Sequence, residues 1–80
     1  MIYIATALLP SGEALEATSD NRSEAQQEFS SLLLSNLDPN AHEKLREFLR
    51  FAWQEFDSKG TVTTEFLGAE FSITKQESKS

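Results

Sequence analysis

From Ala41 to Phe56 the apolar residues Ala41, Leu45, Phe48, Leu49, Ala52, Trp53 and Phe56 recur at steps of four, three, one, three, one and three, the most constraining pattern in the chain. That spacing puts them on one broad face of an amphipathic helix, and a helix with such a face must be buried against another layer. Both ends are marked. Asp38 offers a side-chain oxygen as N-cap, Pro39 suits the first helical position, where its missing N–H costs nothing, and Gly60 after Lys59 supplies the stop. Phe51 lies well off the apolar face.

A first helix is expected from about Glu24 to Asn36, because Ser23 and Gln26 match a capping box and Ala25, Phe29, Leu32 and Leu33 share one face. Leu34 and Leu37 point elsewhere. Ahead of it, residues 2–9 are rich in apolar and β-branched side chains, and Pro10-Ser11-Gly12-Glu13 supplies turn chemistry before a second short run, Ala14 to Thr18. Ile2, Ile4 and Leu8 on one side of the first strand, with Tyr3, Ala5, Ala7 and Leu9 on the other, predict a central position in a sheet.

Beyond Gly60 the period becomes two, with Val62, Thr64 and Phe66 in phase, and after Gly68 the apolar set shifts to Ala69, Phe71 and Ile73. A glycine at a phase shift marks either a hairpin or a bulge in one bent strand. The hairpin gives each arm an ordinary strand length of about 5–7 residues. Its expected form is a type II′ turn opened by Gly68 and Ala69, pairing Phe66 with Phe71 and Thr64 with Ile73.

Strand, strand, helix, helix, strand, strand packs most simply as an α+β two-layer domain, an antiparallel sheet with both helices on one face. Residues 1–75 form this single domain and residues 76–80 a frayed polar tail. A chain of 80 residues buries only about 60–65 percent of its unfolded surface, so most apolar residues are needed for the core. There is no cysteine. Disulfides, thiolate metal sites and cysteine nucleophiles are therefore excluded, and a reducing cytoplasm is the expected setting.

Thirteen acidic residues against seven basic ones give a net charge of −6, the opposite of the footprint of a nucleic-acid binder. The imbalance is concentrated, since residues 1–40 carry six acids and a single base, Arg22. The apolar opening lacks a basic flank and is interrupted by Pro10, which fits neither a signal peptide nor a membrane span. Without a secretion signal, the glycosylation-like triplet Asn21-Arg22-Ser23 carries no weight.

Signatures of chemistry are missing. His42 is the only histidine, and its neighbours Glu43 and Arg46 do not form a chelating pair with it. No Gly-x-Ser-x-Gly elbow exists, and glycines 12, 60 and 68 already have turn or cap roles, which leaves none for a phosphate loop. Glu24 and Glu28 are spaced i, i+4, but exposed like charges on a helix form a solvated face. The expectation is a protein that is not an enzyme, with no catalytic residue, metal site or cofactor.

What remains are surfaces. Glu13, Glu16, Asp20, Glu24 and Glu28 cluster along the second strand, the connector and the first helix, and could present a negative face to a basic protein. Leu34 and Phe51 are large apolar residues outside the helix stripes, candidates for an apolar contact. In size, acidity and strand-helix-strand order the chain resembles the small phage proteins that block host defences, anti-CRISPR proteins among them, a likeness of type that covers no diagnostic motif. It implies a stoichiometric inhibitor docking on the basic nucleic-acid-binding surface of a larger effector. The alternative is a structural subunit or homodimer assembling through Leu34 and Phe51. Both readings imply a protein partner, with no direct binding of nucleic acid or membrane.

Overall fold

The computed structural model describes residues 1–77. Its elements are strands β1 (Ile2–Leu8) and β2 (Ala14–Ser19), helix α1 (Arg22–Asn36), a 3₁₀ turn (Pro39–Ala41), helix α2 (His42–Lys59), and strands β3 (Val62–Phe66) and β4 (Ala69–Gln76). The fold is α+β, a four-stranded antiparallel sheet in the order β2-β1-β4-β3 with two helices against it. β1, apolar on both sides, pairs with β2 and β4 and is central. α1 lies over β2 and β1, and α2 over β3 and β4.

The core sits between the layers. Ala5, Ala7, Leu15, Ala17, Val62, Ala69, Phe71 and Ile73 are buried from the sheet, and Ala25, Phe29, Leu33, Leu45, Leu49, Ala52, Trp53 and Phe56 from the helices. Both stripes are as the spacing predicts except for Ala41, which lies in the 3₁₀ turn ahead of α2 and, like Leu32 and Phe48, is only partly buried. Phe71 joins the two helices, with its ring 6.3 Å from Phe29 of α1 and 4.8 Å from Phe48 of α2. Trp53 is buried with an indole N–H that has no hydrogen-bond partner, a cost of about 1–3 kcal/mol. Its ring is covered by the Arg22 guanidinium at 5.2 Å.

Four local expectations need correction. α1 begins at Arg22, not Glu24, and its cap is Asn21, whose Oδ1 accepts from the Glu24 N–H at 3.2 Å, rather than a Ser23–Gln26 capping box. The earlier start has a tertiary cause. Arg22 donates from Nε and Nη2 to both carboxylate oxygens of Asp57, each at 2.6 Å, and so ties the start of α1 to the end of α2. Asp38 does cap, accepting from the Asn40 N–H at 2.9 Å, but it opens the 3₁₀ turn that leads into α2. At the other end Gly60 stops the helix in the left-handed region with φ 79°, and its N–H donates to the Phe56 carbonyl. Strand β4 runs to Gln76, opposite Ile2, one residue into the expected tail. Residues 78–80, the rest of that tail, lie outside the described residues.

The hairpin at Gly68 is present, but its register is Phe66 with Ala69 and Thr64 with Phe71. The loop is Leu67-Gly68, with φ 53° and 79°, so both central residues are left-handed and the turn is of type I′ rather than II′. The pairing Phe66–Ala69 keeps Phe66 over Phe48, where the two rings stack at 4.4 Å and 5°. A leucine at positive φ is strained, by roughly 1–2 kcal/mol. Leu67→Asn is therefore expected to raise stability by about 1 kcal/mol in urea denaturation, and no gain would show that the leucine side chain offsets its strain.

Candidate functional site

All five acidic candidates are exposed, and the fold decides how they combine. β2 is an edge strand, and α1 lies over it. On α1, Arg22 faces Asp57 of α2 and Gln26 accepts from Arg22 at 2.9 Å, so this flank points towards the second helix. At 100° per residue Glu24 and Glu28 fall on the opposite flank, above the outer side of β2. Glu24 is tied there, accepting from Ser19 Oγ at 3.0 Å. Asp20 sits in the β2–α1 connection.

Glu16 leaves the other side of β2. Its neighbours Leu15 and Ala17 are buried under α1, so Glu16 projects onto the uncovered face of the sheet. Glu13 stands in the β1–β2 turn. The set therefore wraps the β2 edge from both sides and does not form one flat face. Arg22, the single base in residues 1–40, is drawn away from this rim by Asp57. Residues 1–40 supply no other lysine or arginine side chain to it.

The uncovered face carries more acid than the sequence cluster suggested. Rows run across it as Glu16, Thr6, Ser72, Thr63 and as Ala14, Leu8, Glu70, Glu65. Glu65 and Glu70 are directly opposed across β3 and β4, an arrangement that costs stability through like-charge repulsion. No lysine or arginine alternates onto this face from any of the four strands. The signal was present in the alternation of residues 62–76, which puts Glu65 and Glu70 out of phase with the buried Val62, Phe71 and Ile73. Lys75 lies on the helix side, 6.0 Å from the Phe56 ring.

The apolar candidates separate. Leu34 is partly buried against the core, as is Leu37, and is not a free anchor. Phe51 is 67% exposed. It borders a shallow cleft between α2 and the β3 edge, together with Lys44, Glu47, Phe48 and Phe66. Leu67, 54% exposed at the β3–β4 turn, was not singled out from sequence, because Leu67 was taken as part of a strand and not as a turn residue.

His42 Nε2 lies 3.2 Å from the Leu37 carbonyl, which places the ring in the joint between the helices. Among the described residues no group of three or more histidine, aspartate or glutamate side chains is placed to hold a metal, and no helix is long and apolar enough to cross a membrane. Compared with known proteins, the chain matches no family model, no curated protein and no solved structure.

Proposed function

We propose that the protein is a small non-enzymatic interaction module, a stoichiometric inhibitor of the phage anti-defence or anti-CRISPR type, which docks an acidic surface on the basic nucleic-acid-binding surface of a larger effector inside the cytoplasm. The observation that carries this reading is the exposed acidic rim at the β2 edge, to which residues 1–40 bring no lysine or arginine other than Arg22. Glu16, Asp20, Glu24 and Glu28 are exposed there, while Arg22 is held on the far flank of α1 by Asp57. A surface of one sign steers an oppositely charged partner and excludes its nucleic acid by occupying the same cations.

The test is a quadruple neutralisation, Glu16→Gln, Asp20→Asn, Glu24→Gln and Glu28→Gln. Capture from a nuclease-treated lysate should bring down a nucleic-acid-binding protein with the parent chain, released by salt. The variant should hold that protein about tenfold more weakly or worse, with a flatter salt dependence. Equal affinity and an equal salt slope would remove the acidic mechanism.

A second reading, assembly through apolar surface of the helical layer, is favoured by Phe51 alone, since Leu34 packs inward.

A further inference from the structure

We infer that the chain pairs with a second copy of itself through the free edge of β3, forming a continuous eight-stranded sheet whose two α2 helices meet at Phe51. The inference rests on the assembly reading of Phe51 and adds the edge, the symmetry axis and the register. It is independent of the acidic rim, which lies at the opposite edge of the sheet.

β3 ends the strand order, and no described element pairs with its outer side. Natural edges are blunted by charged side chains, lysine above all, by proline, by bulges or by a covering element, and of these β3 carries only the charge of Glu65. The segment Val62–Phe66 contains neither lysine nor proline, and its register with β4 runs without a bulge. The turn fixes which backbone groups face out. Phe66 and Ala69 close a two-residue loop as a hydrogen-bonded pair, so Thr64 and Val62 also bond inward to β4. The N–H and C=O groups of Thr63 and Glu65 then point away from the sheet.

An antiparallel copy related by a twofold axis at Thr64 sets Thr63 opposite Glu65 of the second copy, and Glu65 opposite its Thr63. Both outward pairs are satisfied at once, with four backbone hydrogen bonds. Neither glutamate faces its own equivalent in this register.

The same axis accounts for the exposed phenylalanine. α2 lies over β3 and β4, and strands are about 4.8 Å apart. An axis half a spacing outside β3 therefore puts the two α2 axes about 10 Å apart, within the range at which helices pack. The level also agrees. Phe48 of α2 stacks on Phe66 of β3, and stepping back two strand residues to Thr64, about 6.6 Å, matches about four helical residues. That brings Ala52 and its neighbour Phe51 level with the axis. A side chain 67% exposed in the monomer is thereby covered by its own equivalent. A foreign strand could use the same backbone groups, but it would bring no helix to cover Phe51.

Along α2 the same axis sets Glu47 towards Glu55 of the second copy and Lys44 towards its Lys59, so like charges flank the Phe51 contact and add no attraction. On the sheet face the two copies of Glu65 stand diagonally, roughly 7–8 Å apart, and Glu70 adds to their repulsion. Salt should therefore strengthen this association, whereas it weakens docking on a basic partner.

Sedimentation equilibrium on the full chain, at low and high salt, tests the inference together with Phe51→Ser and Thr63→Pro. Proline at position 63 removes an outward N–H and no bond to β4, so an edge strand tolerates it. The expected result is a species of twice the 9.0 kDa chain mass, tightened by salt. Each variant, folded by circular dichroism, should raise its dissociation constant at least about tenfold. Should Thr63→Pro disturb folding, a synthetic chain N-methylated at the Glu65 amide removes the equivalent bond. A chain that is monomeric at every concentration overturns both the inference and the assembly reading. A dimer broken by Phe51→Ser but indifferent to a folded Thr63→Pro keeps assembly through the helical layer and overturns edge pairing. A monomer that instead adds a foreign extended peptide at β3 gives the edge another occupant and likewise overturns the inference.

Discussion

Phe71→Ala is expected to lose about 3–5 kcal/mol of stability. A domain of this length has about 4–12 kcal/mol in total, so the variant should be partly or wholly unfolded at 25 °C. The size follows from position. Phe71 sits on the central strand β4, is 2% exposed, and its ring touches Phe29 from α1 and Phe48 from α2. Removing it opens a cavity where both helices and the sheet meet, and no single element can shift to fill it. The matched control is Phe51→Ala in the monomer, where an exposed ring should cost no more than about 0.5 kcal/mol. Urea denaturation of both variants, well below any association, measures the contrast. A Phe71→Ala loss under about 1.5 kcal/mol would mean that the helices collapse onto the sheet and that the layers are less rigidly spaced than the structure shows.

Ala25→Leu should be the second largest, a loss of about 2–3 kcal/mol by overpacking rather than by a cavity. Ala25 is fully buried on α1 where that helix crosses β2 and β1, and the sheet beneath is floored by Ala5, Ala7 and Ala17. Small residues on both sides set how closely α1 approaches. A leucine must push α1 outward or leave its preferred rotamer, and an outward shift also strains the Arg22–Asp57 tie at the helix start. The measurement is the same denaturation series, with Ala25→Ser as a size-matched reference. Stability within about 0.5 kcal/mol of the parent would show spare room at this seat.

Much of the fold was legible because the signals are local. The α2 stripe, the Gly60 stop and the period-two alternation around Phe71 and Ile73 each depend on residues a few positions apart, and a helix or strand presents such residues on one face whatever else it touches. Where two local signals were equally good, the sequence had no means to choose. Asn21 and Ser23 are both competent caps, and Arg22 decided between them by reaching Asp57, 35 residues away. At the last turn, glycine preferences pointed to Gly68 as the first central residue. The stacking of Phe66 on Phe48 instead selected the register that forces Leu67 to positive φ.

The candidate site shows the same division. Which residues are acidic, and that the first half of the chain is nearly all acid, is read directly from the order of residues. Which acids share a surface is not. Glu16 and Glu28 are separated by the thickness of the edge they wrap, while Glu16, Glu65 and Glu70, far apart in sequence, alternate onto one sheet face. Leu34 and Phe51 looked alike as apolar residues off a stripe, yet only Phe51 is left in the open.

The amino-acid order alone determined the elements, their apolar faces, the two-layer α+β class and the acid excess, because backbone geometry turns short-range spacing into faces. The tertiary structure alone decided that β1 and β4, the two ends of the chain, lie side by side in the middle, and so which edges stay free and which charges meet. Pairing between distant strands depends on burying both layers at once, an energy that belongs to the assembled core and to no local stretch of the chain.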